Sequence, residues 1–414
     1  MNLVKKLSCI VALCALLTGQ AFAQDQMNPY SRYGYGSLSD NATSAQRAMG
    51  GVGYAMNSGR QINVMNPASY AAIDSLTFLF DMGVTFTSLW SKEGAESGKD
   101  FGGGLDYVTM QFPIGKRLGM SIGLLPFSSV GYSFGSEITN GTTTRSGSGG
   151  LNQLYVGLSG RIVKGLSVGA NVGYLFGTTA NDTYATTTGG SQTLFERVVQ
   201  VRDYHLQFGV QYSLMTSRTN KLTLGVTWSP KKTLLGHAWG VNYDVTSDTK
   251  PDTIAYTSLR DKFSLPDTWG FGVNYQWNDR LMVEADITYQ NWKDAKFTLI
   301  EAQDRLESFN NRIRGALGLQ FTPRPRGSYV QRIQYRMGGY YTKDYIKVGD
   351  NNVKEYGLGL GFGLPTPSSK TVINLGIEWK HRQATPDPLV KENFLNITLG
   401  VNFNELWFYQ NKLR

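Results

Sequence analysis

From Leu76 onward, apolar and polar positions alternate with a period of two. In one segment Leu166, Val168, Ala170, Val172, Tyr174 and Phe176 interleave with Ser167, Gly169, Asn171, Gly173 and Leu175. Leu281, Val283, Ala285, Ile287 and Tyr289 alternate with Met282, Glu284, Asp286, Thr288 and Gln290, and Leu395 to Phe403 repeats the pattern. Successive strand side chains point to opposite faces, so each segment predicts a strand with one apolar face and one polar or small face. Fourteen such segments follow one another: 76–88, 101–113, 118–134, 150–163, 166–178, 196–214, 221–243, 265–277, 281–292, 307–321, 331–345, 353–363, 371–382 and 392–403.

The connections have a rhythm. Ile114–Arg117, Lys164-Gly165, Met215–Asn220, Asn278–Arg280, Pro323–Val330 and Leu364–Lys370 are short. Those after every odd-numbered segment are longer and rich in Gly, Thr, Asp and Asn, as in Asn140–Gly150 and Thr179–Phe195. An even strand count with short turns at one end and long loops at the other predicts an all-β fold, a fourteen-stranded antiparallel transmembrane β-barrel with both chain ends on the periplasmic side. Trp228, Trp269, Trp277, Trp292, Trp379 and Tyr289 fall near strand ends, where amphipathic rings suit the headgroup region. A soluble β-sandwich would alternate too, but would not explain the loop rhythm.

Before the strands the pattern differs. Residues 27–72 have no strand alternation and read as short helices and turns punctuated by Gly and Pro. The run Gly357 to Gly363, with glycine at every second position, lacks the following helix that a dinucleotide-binding loop needs. It predicts a strand whose lumen face is all glycine, which leaves room for a plug inside the barrel.

Ahead of that lies a leader. Lys5 and Lys6 precede an apolar run from Leu7 to Leu17, and Ala21-Phe22-Ala23 is a cleavage site. The expected divisions are a signal peptide at 1–23, a hatch at 24–75, the barrel at 76–403 and a periplasmic tail at 404–414. Cleavage removes the only cysteines, Cys9 and Cys14, with two lysines, so the net charge of +9 falls by two. The mature chain then has no thiolate nucleophile and no cysteine metal site. The remaining positive charge suits outer-membrane lipids with anionic headgroups. Nucleic acid is no partner for an exported barrel.

Residues 45–78, AQRAMGGVGYAMNSGRQINVMNPASYAAIDSLTF, carry a Gly-rich helix start at Gly50 and Gly51, a polar stretch, then Asn66-Pro67 before the first strand. This resembles the FadL-type outer-membrane transporter superfamily, which includes PorV-like accessory barrels. The resemblance implies fourteen strands with a helical hatch in the lumen, and makes Gly50, Gly51, Asn66 and Pro67 the hatch motif. It also places Pro126 where the family's third strand kinks to open a side window. A proline near the outer rim, where the strand leaves the sheet, is the plainer reading.

Candidate chemistry is sparse. Only His205, His237 and His381 occur, with no His-Glu-x-x-His and no Gly-x-Ser-x-Gly, so no catalytic residue, metal site or cofactor is expected. Arg312, Arg314, Arg332 and Arg336 lie on neighbouring segments and predict one basic wall. That wall either attracts a carboxylate headgroup or forms buried ion pairs that hold the hatch. The aromatic tail residues Trp407, Phe408 and Tyr409 are candidates for contact with a protein partner. Two functions stay open: passage of hydrophobic, fatty-acid-like small molecules through a hatch-gated lumen, or a non-transporting accessory role in an outer-membrane secretion or assembly complex.

Overall fold

The computed structural model describes residues 28–138, 140–246, 252–260, 263–297, 308–366 and 370–406. The expected leader and the tail residues Trp407, Phe408 and Tyr409 lie outside them. Fourteen antiparallel strands close a barrel. They are β1 Thr77–Glu93, β2 Glu96–Pro113, β3 Leu118–Ser129 continuing as Tyr132–Ile138, β4 Gly141–Val163, β5 Leu166–Thr187 and β6 Gln192–Met215. Next come β7 (Lys221–Ser229, Lys232–Leu234, Gly236–Asp244) and β8 (Asp252–Arg260, Phe263–Leu265, Thr268–Trp277). The last six are β9 Leu281–Gln290, β10 Arg312–Phe321, β11 Gln334–Val348, β12 Asn351–Pro365, β13 Val372–Thr385 and β14 Lys391–Leu406. Thr77 opposite Leu406 begins the ladder that seals the barrel. Residues 404–406 therefore belong to the last strand rather than to a tail.

The period-two pattern sorts inside from outside. On β4, Leu154, Val156 and Leu158 face out, while Gln153, Tyr155 and Ser159 are buried in the lumen. The outward rings of Trp269 and Trp277 stand eight residues apart on β8. At about 3.3 Å per residue and a tilt of about 40°, that is a band roughly 20 Å tall. Trp292 departs from the expected girdle. It lies in a 3-10 turn folded over the outer mouth and is buried, stacked on Tyr345 at 4.5 Å.

The segments read as long loops are mostly strand. Asn140–Gly150 and Thr179–Phe195 extend β4, β5 and β6 outward as hairpins, with turns as tight as Thr188–Ser191. Thr and β-branched residues favour this pairing even where the pattern is polar on both faces. Two places interrupt the wall. At Pro230 and Pro266, β7 and β8 step inward, and Lys232–Leu234 pairs with Phe263–Leu265 as a small separate sheet. Between β2 and β3 the ladder runs only from Val108 opposite Leu124 to Pro113 opposite Gly119. Beyond it, among the described residues, β2 pairs only with β1, and β3 with β4 and with the two-residue strand Ser37–Leu38.

Candidate functional site

The lumen is filled in three layers. At the periplasmic end sits the hatch, Asn41 to Ser75. A capping box holds its helix Ser44–Arg47, with Gln46 Oε1 accepting from the Thr43 N–H at 2.9 Å. Gly50 and Gly51, expected at a helix start, instead follow that helix; both are left-handed (φ 72° and 75°) and turn the chain back on itself. Asn66 caps the 3-10 turn Pro67–Ala72: its Oδ1 accepts from the Ala68 N–H at 3.0 Å, and its Nδ2 donates to the Tyr54 carbonyl at 2.7 Å.

Lumen-facing glycines make the seat. Gly338 lies against the Met49 backbone, Gly225 against the Tyr54 carbonyl, Gly169 against Pro67 and Gly119 against Tyr70. Gly359 and Gly361 of β12 meet Arg47 and Ala48. The middle of the glycine face of β12 thus receives the plug, while Gly357 and Gly363 lie against Tyr340 and Arg336 of β11. Acids then grip the hatch backbone. Asp286 Oδ2 accepts from the N–H groups of Gly53 (2.7 Å) and Tyr54 (3.0 Å), and Glu284 Oε1 from that of Ala55 (2.8 Å).

The middle layer is ionic. Asp40 pairs with Arg312 at 2.9 Å and Arg314 at 3.0 Å. Arg314 also donates to the Gly50 carbonyl at 2.8 Å and lies 3.7 Å over the Tyr340 ring. Arg47 pairs with Asp106 at 2.8 Å. Arg382 pairs with Glu355 at 2.6 Å and donates to the Ser37 hydroxyl at 3.1 Å. Burial alone would raise the Asp40 carboxyl, but the Arg314 and Arg312 guanidiniums outweigh it and hold it far below the usual carboxylate range. These groups surround a cavity of about 280 Å³.

The expected basic wall is not one surface. Arg312 and Arg314 belong to this layer. Arg336 lies opposite Gln320, six residues or about 20 Å further along β10, where it bonds Gln320 and Asn374. Arg332 lies on no strand; it ends the helical turn Tyr329–Arg332 in the periplasmic connection. Neighbouring strands do not make neighbouring side chains when the register separates them.

The top layer is aromatic. Tyr30 and Tyr35 from the N-terminal segment pack with Trp292, Phe297, Phe309 and Tyr345, and with Leu234 and Phe263 of the inward step. The Tyr345 hydroxyl donates to the Gly36 carbonyl at 2.6 Å. Trp292→Ala should cost about 3–5 kcal/mol. Calorimetry in micelles should show a lowered unfolding transition; an unchanged one would remove Trp292 from the cap's support.

Pro126 lies where the β2–β3 ladder has stopped, beside a bulge between Pro126 and Ser128. The N-terminal segment occupies that gap: Ser37 pairs with Ser129, Leu38 with Ser128, and Ser39 donates to the Phe127 carbonyl at 2.9 Å. The histidines are dispersed on β6, β7 and β13. Among the described residues, no group of three His, Cys, Asp or Glu is placed to hold a metal. Sequence reading missed Asp40, although a signal existed: it is the lone acid between residues 28 and 73.

The chain forms a closed fourteen-stranded barrel around an N-terminal plug, a fold it shares with FadL-type barrels. The chain matches the BamG family over residues 3–414 and belongs to it. Among solved structures it is similar to a Pseudomonas aeruginosa FadL homologue (13% identity, TM-score 0.63, covering 89% of this chain and 99% of that one). It is also similar to the Ralstonia pickettii toluene transporter TbuX (15%, 0.61, 88% and 98%). The P. putida toluene transporter TodX compares likewise (14%, 0.61, 90% and 100%). At these identities the likeness concerns the fold. None of the curated proteins matches the chain in sequence.

Proposed function

We propose that this protein is a non-transporting accessory barrel, a structural subunit of an outer-membrane protein secretion or assembly complex. The carrying observation is the ionic middle layer. A pocket for a hydrocarbon or fatty acid is mostly apolar with a few polar groups. Here the central cavity is lined by Asp40, Arg47, Arg314, Glu355, Lys380 and Arg382, most of them already paired with one another. Above it lies a packed aromatic cap, and below it a hatch bonded to the wall. Membership of the BamG family agrees with an accessory role. Residues 1–23 would direct export, and Trp407, Phe408 and Tyr409 would extend toward a partner on the periplasmic side.

The second reading is passage of hydrophobic molecules, with Pro126 at a side window and hatch residues Gly50, Gly51, Asn66 and Pro67 yielding to let them out. It is favoured by the broken β2–β3 ladder, whose flanks carry lipid-facing Leu105, Leu124 and Leu154. It is also favoured by the transporters with the same fold. Native mass spectrometry of the protein extracted from its own outer membrane in mild detergent separates the two. We expect a stoichiometric protein partner and no apolar adduct. A solitary barrel carrying a small apolar molecule would refute the accessory reading.

A further inference from the structure

Among the described residues, the outer ends of β2 and β3 face each other without a ladder, and between them lies a cleft of about 440 Å³. Its floor is apolar: Pro29, Tyr33, Phe134, Leu389 and Val390. Charges of both signs flank it, among them Lys99 and Arg145 against Glu93 and Glu96. It opens at the outer end, beside the β1–β2 hairpin tip.

The edge of β3 already shows what it accepts. From Phe127 to Gly131 the chain's own N-terminal segment lies along it, pairing antiparallel at Ser128 and Ser129. There the main chain has a defined sense. The Val130 N–H donates to Gly149 of β4, whereas Gly131 turns both its N–H and its carbonyl to the N-terminal segment, bonding Ser31 Oγ and Asn28 N. Successive residues of a strand alternate in this respect. The ladder to β4 continues without a shift from Tyr132 to Ile138. Ser133, Gly135 and Glu137 therefore aim their N–H and carbonyl groups away from β4, Ser133 into the cleft and the other two along the exposed edge beyond it. An unpaired strand edge is a template for another strand.

We propose that this cleft binds an extended segment of a partner protein at the cell surface, added as a strand to the Tyr132–Ile138 edge. The segment carries alternate apolar side chains toward the floor and charges of both signs to meet Arg32, Lys92, Lys99 and Arg145 and the acids Glu93, Glu96 and Asp100. Main-chain bonds give such docking its affinity, and the floor its selectivity. The proposal rests on the accessory reading and adds a second contact, at the outer face, with its form.

Hydrogen exchange tests it, comparing the barrel co-extracted with its neighbours from its own outer membrane with the barrel purified alone. The amides of Ser133, Gly135 and Glu137 should exchange about 100-fold more slowly in the co-extracted sample. Gly135→Pro removes one donor from the exposed edge and leaves the ladder to β4 intact, so it should release the partner. Should that variant misfold, Glu137→Pro serves, and the wild-type comparison stands without either. A stoichiometric partner with equal exchange in both samples would overturn strand addition and leave the accessory reading in place. A solitary barrel would overturn both. Protection that tracks a homodimer would also overturn the proposal, since the strand would then come from a second copy.

Discussion

Gly338→Leu unseats the hatch. A side chain there would collide with the Met49 carbonyl group and would stand 2.6 Å from the Gly50 nitrogen. These are backbone atoms, so no rotamer change relieves the clash. Overpacking against side chains typically costs about 1–3 kcal/mol. Here the hatch itself must move, and moving Gly50 breaks the bond from Arg314 to its carbonyl. In planar bilayers we expect the wild-type barrel to pass no steady ionic current and Gly338→Leu to conduct. Gly315→Leu on β10 is the control, because nothing lies within 4 Å of the position a Cβ would take there. A silent Gly338→Leu barrel, with a hatch as resistant to protease as the wild type, would mean that the glycine seat does not decide closure.

Much of this architecture was legible from period and spacing. The alternation of β5, β9 and β14 assigned each residue to lipid or lumen, because a strand buried on one face has no other register. The glycine repeat of β12 announced an inner face kept clear for a plug. What could not be read was anything set by pairing between distant segments. Arg314 and Arg336 look alike in sequence, but the β10–β11 register puts one beside Asp40 and the other at the periplasmic end. Trp292 looked like a girdle residue because it closes the predicted strand 281–292; the strand ends at Gln290, and the turn after it swings Trp292 over the mouth instead. The polar hairpins looked like loops because, above the membrane, neither face has an apolar phase to contrast with the other. The gap between β2 and β3 left no trace beyond Pro126, since missing pairing is a property of two strands together.

Asp40→Ala should loosen the plug more than any other single change in the ionic layer. It leaves the guanidiniums of Arg312 and Arg314, each about 5% exposed, without their shared carboxylate. Breaking a buried pair from one side costs about 3–5 kcal/mol, because a charge stays behind uncompensated. At about 1.4 kcal/mol per tenfold, the population of barrels with a displaced hatch should rise by about two to three and a half orders of magnitude. Bursts of conductance report that population. Since the penalty comes from the stranded cations, adding Arg312→Leu and Arg314→Met to Asp40→Ala should recover part of the closure, whereas the arginine changes alone should strand Asp40 and open the barrel. If Asp40→Ala stays shut, the hatch is held by the glycine seat and the Glu284–Asp286 grip alone. Acid should not mimic the mutation until well below the usual carboxylate range. The Asp40 pKa is depressed in the folded barrel, so its contribution is fully present above the ordinary aspartate value of about 3.9 and is lost only as the pH falls through the lower folded value. A barrel that opens on mild acidification to about pH 5 would therefore be yielding at another contact.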